Sequence, residues 1–387
     1  MLPYSIFEFY MIIAFFAVLL GVSKYFFADR HYRYVLFFFN AFYLVVVYPQ
    51  PLHFVLFIAF SYGLTWFLTN LWRPGQKLWG VLLLLLPLLL VKLDIRFHFY
   101  PFTLNHILSF AGLSFAAFRV IGYYMAKAPE EKMADPVTYF NFLSFTPTLL
   151  IGPIDTYAHF KSAQDNGFTR LSTENYLAGW QFIVRGIVFK YVLAEITDRY
   201  WLSLYSPADA GLWPMVNTMY AYYVYLFFDF AGYSHLALGI GKIMGMDVPL
   251  NFTNPFLSVN PQDFWRRFHI SLGNWLKDNF FTPLYLFLTR QKALRPFPLM
   301  RQNTALVCTF GLMGCWNGLH LNFILSGLLF GLYSAVHNTY VYRCRKQGRD
   351  VVFGNLNPRV VRLISVVIML NLAAVALYIF SGYCPLI

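Results

Sequence analysis

The sequence predicts an all-α integral membrane protein with about ten transmembrane helices, and three observations carry that prediction. Of 387 residues, 59% are hydrophobic and 12% are charged, whereas a soluble domain is about 25% charged. The apolar residues gather in runs near 4–24, 34–50, 53–72, 78–93, 103–126, 176–198, 213–241, 303–321, 323–342 and 361–381. Most approach the roughly 20 residues that cross a bilayer. Most cations lie between these runs, concentrated on alternate loops.

The first run has no basic n-region and no small-residue cleavage site, so it reads as a retained helix rather than a secretory signal. An uncharged turn, Pro49 to Pro51, joins the next two runs. The piece 137–153 (VTYFNFLSFTPTLLIGP) is broken by Pro147, Gly152 and Pro153. Both of its flanks belong to basic loops, so it must enter and leave by one side as a re-entrant turn buried in protein. The stretch 264–288 mixes apolar and basic residues and should lie along the membrane boundary. Two broken segments converging from one side predict a central funnel. No repeat, linker or low-complexity tract divides the chain, which reads as one polytopic domain, 1–387.

Charge sets the orientation. Lys24, Arg30, Arg33, Arg73, Lys77, Lys127, Lys132, Lys242, the 266–301 region and the cluster from Arg343 to Arg362 fall on one side. Lys92, Arg96 and Arg199 are exceptions. The positive-inside rule makes the basic loops cytoplasmic and leaves both termini outside. The net charge of +12 has two readings. It orients the protein and touches anionic lipid, or it also steers an acidic cytoplasmic partner. Nucleic acid is excluded, because the cations are spread over membrane loops with no recognition motif. Cys308, Cys315, Cys344 and Cys384 show no CxxC or metal spacing and receive no role.

Chemistry concentrates in DFWRRFHISLGNWLKD, Asp263 to Asp278. A histidine and several cations beside lipid are expensive, which points to catalysis or anion binding. On a helix, Trp265, His269 and the 272–273 region would share a face. The plainer readings are a structural histidine and, for Arg266 and Arg267, contact with lipid headgroups. Asp229 lies in the apolar FFDFAGYS run. It is either a functional intramembrane carboxylate or the partner of Arg185 or Lys190. His31, His53, His98, His106, His159, His235 and His337 have no partner at ligand spacing and read as loop or helix-end residues. Metal binding is not indicated.

The Trp-Arg-x-x-His-x-Ser-Leu run at 265–272, with FFDFAGYS, MGMDVPLNFTNPF (Met244 to Phe256), PTLLIGPID (Pro147 to Asp155) and SFAAFRVIG (Ser114 to Gly122), resembles the membrane-bound O-acyltransferase family. The likeness runs from about Val81 to Phe380 and is greatest to members that transfer D-alanyl groups. It implies a bacterial cytoplasmic-membrane enzyme with no bound cofactor. An acidic carrier protein would present D-alanine as a thioester on a phosphopantetheine arm from inside. A hydroxyl of the cell envelope, of teichoic-acid type, would accept it from outside. His269 aligns with an active-site position of the family. Arg266 and Arg267 suit the arm's phosphate, and Trp265, Trp316 and Asp229 fall among the substrate-contacting positions. Tyr285 and Leu286, in the apolar stretch 280–288, would help dock the carrier.

One departure stands out. The family's catalytic histidine occupies a Trp-His-Gly triplet, and this chain has Trp316, Asn317 and Gly318. Asparagine cannot take a proton from an alcohol. His320, placed three residues on, would share Asn317's helical face and supply the base. Alternatively, Asn317 donates to the oxyanion while His269 is the base, or the chain is an inactive, carrier-binding scaffold. O-acetylation of an envelope polysaccharide is the alternative chemistry. A transporter would more often show internal repeats.

Overall fold

A computed structural model describes residues 7–26, 29–70, 77–97, 108–128, 131–205, 209, 211–348 and 357–384. Among the described residues it is helical, apart from one isolated β-bridge between Phe252 and Phe268. The helices are α1 (Phe7–Phe26), α2 (Tyr32–Val46), α3 (Pro51–Asn70), α4 (Lys77–Phe97), α5 (Leu113–Ala126), α6 (Pro136–Ser144), α7 (Tyr157–Asp165), α8 (Thr173–Ile187), α9 (Ala194–Tyr200), α10 (Leu212–Ile243), α11 (Pro261–Trp265), α12 (Ile270–Leu276), α13 (Thr282–Arg290), α14 (Pro298–Asn317), α15 (Leu321–Lys346) and α16 (Pro358–Ser381). A π-helical turn, Val188–Leu193, joins α8 to α9. Each apolar run of the sequence contains helix. The start of the 103–126 run, with His98 and His106 near it, lies outside the described residues.

Among the described residues, four stretches are long and apolar enough to cross a membrane: Pro51–Asn70, Lys77–Phe97, Thr173–Leu204 and Pro358–Ser381. No more than 33% of each apolar window is buried by protein. The remaining apolar surface is stable only against lipid. Pro87 inside α4 is compatible with a spanning helix, whose neighbours can serve the freed carbonyl.

The chain falls into two compact units, residues 1–187 with 233–249, and residues 188–232 with 250–387. In the first, the broken segment takes the form of α6 followed by a 3₁₀ turn, Thr146–Thr148. Asp135 caps α6 by accepting from the Thr138 amide at 3.1 Å. The irregular backbone is buried, so its polar groups need partners. Arg119, only 2% exposed, donates to the carbonyls of Phe142 and Leu143, both at 3.2 Å, and of Thr148 at 2.7 Å. Asn40 accepts from the Thr146 amide at 3.2 Å and hydroxyl at 3.0 Å. Arg119, the cation of SFAAFRVIG, is thus a clamp on the broken segment.

In the second unit, α14 and α15 form an antiparallel pair. Their close approach is at Gly314 and Gly327, where an added Cβ at Gly327 would lie 3.0 Å from the Gly314 Cα. Small residues let two backbones meet this way in apolar surroundings. The Ser326 hydroxyl ties α15 to α16 by donating to the Ala376 carbonyl at 2.7 Å. Phe264, Phe268 and Phe330 form the adjoining core with Tyr223, Met369, Ala373 and Leu377.

Candidate active site

The 263–278 block is not a continuous helix. α11 starts where Asn260 accepts from the Asp263 amide at 2.8 Å, with Pro261 in the first turn. It stops after five residues. His269 then adopts φ 51°, ψ 51°, and α12 begins behind it. The expected common face for Trp265 and His269 is therefore not formed. Only His269 and Asn254 have positive φ among the described non-glycine residues. Such a conformation typically costs about 1–3 kcal/mol and persists where neighbours enforce it.

The neighbours are explicit. The Thr253 amide donates to the Arg267 carbonyl and the Ile270 amide to the Asn251 carbonyl, both at 3.0 Å. The buried Asn251 carboxamide oxygen accepts from the Ser271 hydroxyl at 2.6 Å. Two backbone bonds and one side-chain bond thus bracket His269. The LNFTNPF part of the sequence supplies the other half of the clamp, a role that its asparagines alone did not announce.

The imidazole of His269 packs edge-on against Phe230, with centroids 4.6 Å apart at 85°. Its Nδ1 is buried without a hydrogen-bond partner. Desolvation lowers its pKa from 6.5 to about 3. At neutral pH it is therefore an uncharged imidazole with an unengaged ring nitrogen, and the same burial that keeps it neutral makes it a weaker base until a partner joins it. Phe230 follows Asp229, whose carboxylate is ion-paired to Lys190 on the π-helical turn. Arg185 is not its partner; that guanidinium lies over the Phe182 ring at 5.6 Å.

Trp265 packs against Phe330 and Phe310 at 5.0 and 5.2 Å. Its indole N–H is buried without a hydrogen-bond partner. Phe310 precedes Asn317 by seven residues on α14, about 10 Å along the axis. The two arginines differ. Arg267 is held by Asp263 at 2.9 Å, and Arg266 is exposed.

The second motif also departs from expectation. Asn317 is the last residue of α14, Gly318 is extended, and His320 is the N-cap of α15. No helix contains both residues, so they do not share a helical face. Both are exposed. The Asn317 amide donates back to the Met313 carbonyl at 2.9 Å, leaving its second N–H and its oxygen. Trp316 is half-buried on the same last turn. The His320 ring lies 6.5 Å from that of Phe323.

Tyr285 stacks on Phe281 at 6.1 Å, and Leu286 is exposed beside Phe287. Among the other histidines, His235 and His337 lie inside α10 and α15 rather than at helix ends or in loops. His159 is bonded to Asp155 at 2.8 Å. Among the described residues no three His, Cys, Asp or Glu side chains gather as metal ligands.

The model of the membrane-bound O-acyltransferase family matches residues 52–381. The chain belongs to this family. Three relatives mark its place within it. The teichoic acid D-alanyltransferase of Streptococcus thermophilus is 30% identical over 78% of this chain and 74% of its own. That of Bacillus subtilis is 30% identical over 72% and 70%. The peptidoglycan O-acetyltransferase of Helicobacter pylori is 33% identical over 54% and 38%. Members of the family are O-acyltransferases, and this chain is accordingly an acyltransferase embedded in a membrane. The matched range contains the His269 block, the Asp229 run and the α14–α15 turn.

Proposed function

We propose that this chain transfers D-alanine from the phosphopantetheine thioester of an acidic carrier protein to a hydroxyl of a teichoic-acid-type envelope polymer. The reading places it in a bacterial cytoplasmic membrane, crossed about ten times by a single polytopic domain, 1–387, with both termini outside. What supports it most is the uncharged imidazole of His269, held in a strained backbone within the stretch the family model matches, together with the 30% identity to teichoic acid D-alanyltransferases. The acceptor hydroxyl gives its proton to His269, and its oxygen attacks the thioester carbonyl. A tetrahedral oxyanion forms, the C–S bond breaks, and the arm leaves as a thiol carrying that proton. Asn317 has an N–H left to point at the oxyanion. His320 is the alternative proton-handling group. Arg266 is the freer of the two cations for the arm's phosphate, since Arg267 is engaged by Asp263. Trp265 and Trp316 line the approach, and the Asp229–Lys190 pair fixes the helix carrying Phe230. Tyr285 and Leu286, near Lys277, Arg290, Lys292 and Arg295, offer the carrier an apolar patch rimmed by cations.

The test is transfer of labelled D-alanine from the charged cognate carrier to a membrane extract containing the full chain. Label in an envelope polymer supports the reading. Label remaining on the carrier overturns it. The likeness to a peptidoglycan O-acetyltransferase favours acetyl transfer as the second reading. An acetyl donor in the same assay distinguishes the two.

A further inference from the structure

A polar cleft of about 180 Å³ lies wholly within the first unit, among residues that the acyl transfer leaves unused. It is lined by Arg170, Asn175, Lys242, Gly245, Met246 and Asp247. Its walls are built deliberately. Gly245, at φ +75°, seats against the Gly167 carbonyl, where a Cβ would not fit. The Tyr32 hydroxyl pins the next wall by donating to the Met244 carbonyl at 2.5 Å. The Asn175 amide donates to the Arg170 carbonyl at 2.8 Å, and Lys24 at the end of α1 donates to the Leu171 carbonyl.

Three features together identify the occupant. Arg170 lines the cleft, and its Nη1 makes no hydrogen bond within the protein. Lys242 stands in the same cleft, and Asp247 beside it is exposed. Such a set suits a phosphate accompanied by a hydrogen-bond donor. The third feature is apolar. Two residues beyond Asn175, helix α8 presents Leu177, Trp180 and Val184 to the outside, 61%, 51% and 57% exposed. They lie at i, i+3 and i+7, one stripe of the helix, and tryptophan is a residue of the membrane–water boundary. The stripe belongs to a stretch apolar enough to span the membrane, so the acyl chain of a lipid held at the cleft has an apolar helix face to follow.

We propose that this cleft binds an anionic glycerophospholipid. Its phosphate lies on Arg170 and Lys242, a headgroup hydroxyl donates to Asp247, and one acyl chain follows Leu177, Trp180 and Val184. The proposal rests on the membrane location alone and is independent of which acyl group is transferred.

Native mass spectrometry of the full-length protein in detergent tests it, with phosphatidylglycerol, phosphatidylcholine and water-soluble glycerophosphoglycerol as probes. Phosphatidylglycerol should be retained about tenfold better than phosphatidylcholine. The double variant Arg170→Gln/Lys242→Gln should lower that retention at least tenfold, because each cation near anionic lipid contributes about fivefold. Lys242→Gln alone keeps the test valid if the double variant melts early, and should show about fivefold. Asp247→Asn should weaken phosphatidylglycerol more than phosphatidic acid, which has no headgroup hydroxyl. Unchanged retention in these variants overturns the proposal. So does displacement by glycerophosphoglycerol as effective as by the lipid, which would mark a free-phosphate site. Loss of carrier capture with lipid retention intact would assign the cleft to a protein partner instead.

Discussion

His269 combines two properties that a single substitution can separate. Its backbone is left-handed, and its ring is uncharged at neutral pH. His269→Ala removes the ring and keeps the strain, whereas His269→Gly removes both. Glycine takes this conformation without the penalty a Cβ brings, about 1 kcal/mol or more. Thermal melts in detergent should therefore place His269→Gly above His269→Ala. Transfer should fall by about 10²–10⁴ in both if the ring is the base. A glycine variant no more stable than alanine would remove the strain from the account. The ring also sets a pH dependence. The unfolded chain protonates it near pH 6.5 and the folded chain only near pH 3. The unfolded state therefore binds more protons in that window, and stability is lost as pH falls from about 6.5. A His269→Gln variant should lose less melting temperature than the wild type between pH 7 and 4.5. Equal losses would place the titrating group elsewhere.

Among the elements, the turn between α14 and α15 controls the second motif. The Gly314–Gly327 approach fixes where Asn317 ends one helix and His320 starts the next. Gly327→Val should force the pair apart at a cost of about 1–3 kcal/mol and reduce transfer although it touches no substrate. Full activity with a lowered melting point would separate packing from catalysis. The roles on the turn are equally separable. If His320 is the base, His320→Ala should abolish transfer and Asn317→Ala reduce it less. If His269 is the base and Asn317 the oxyanion donor, Asn317→Ala should cost about 10²–10³ and His320→Ala little. The helices themselves were legible in the sequence, because length and apolarity are local properties. The break at His269 was not, because the extended segment around Asn251 imposes it across some twenty residues. The helix end at Asn317 was hidden for a related reason. Gly318 marks it, but the apolar run continues through it. Asp229 was readable as a choice between two cations, and only packing selects Lys190.

For the whole molecule, the distribution of charge makes the sharpest claim. The basic residues Lys24, Arg30, Arg33, Lys242, Arg266, Arg267, Arg343, Arg345 and Lys346 belong to loops or helix ends of one predicted side. Moving such clusters across an apolar layer is strongly disfavoured, and short basic loops stay in the cytoplasm. In the proposed reading this side faces the carrier and its thioester, with the exposed patch at Leu286. The acceptor then comes from the other side, where both termini are expected. A cysteine-free background carrying one added cysteine near the C-terminal end, and a second protein with one at Gln347, decide this directly. An impermeant thiol reagent applied to intact cells should label the first and spare the second until the membrane is opened. The reverse pattern would invert the protein and put the proposed donor patch outside, away from any cytoplasmic thioester. Labelling of both sites in intact cells would place Gln347 outside and break the parity on which the count of about ten crossings depends. Only the expected pattern leaves a single centre able to meet a donor from within and a hydroxyl from without.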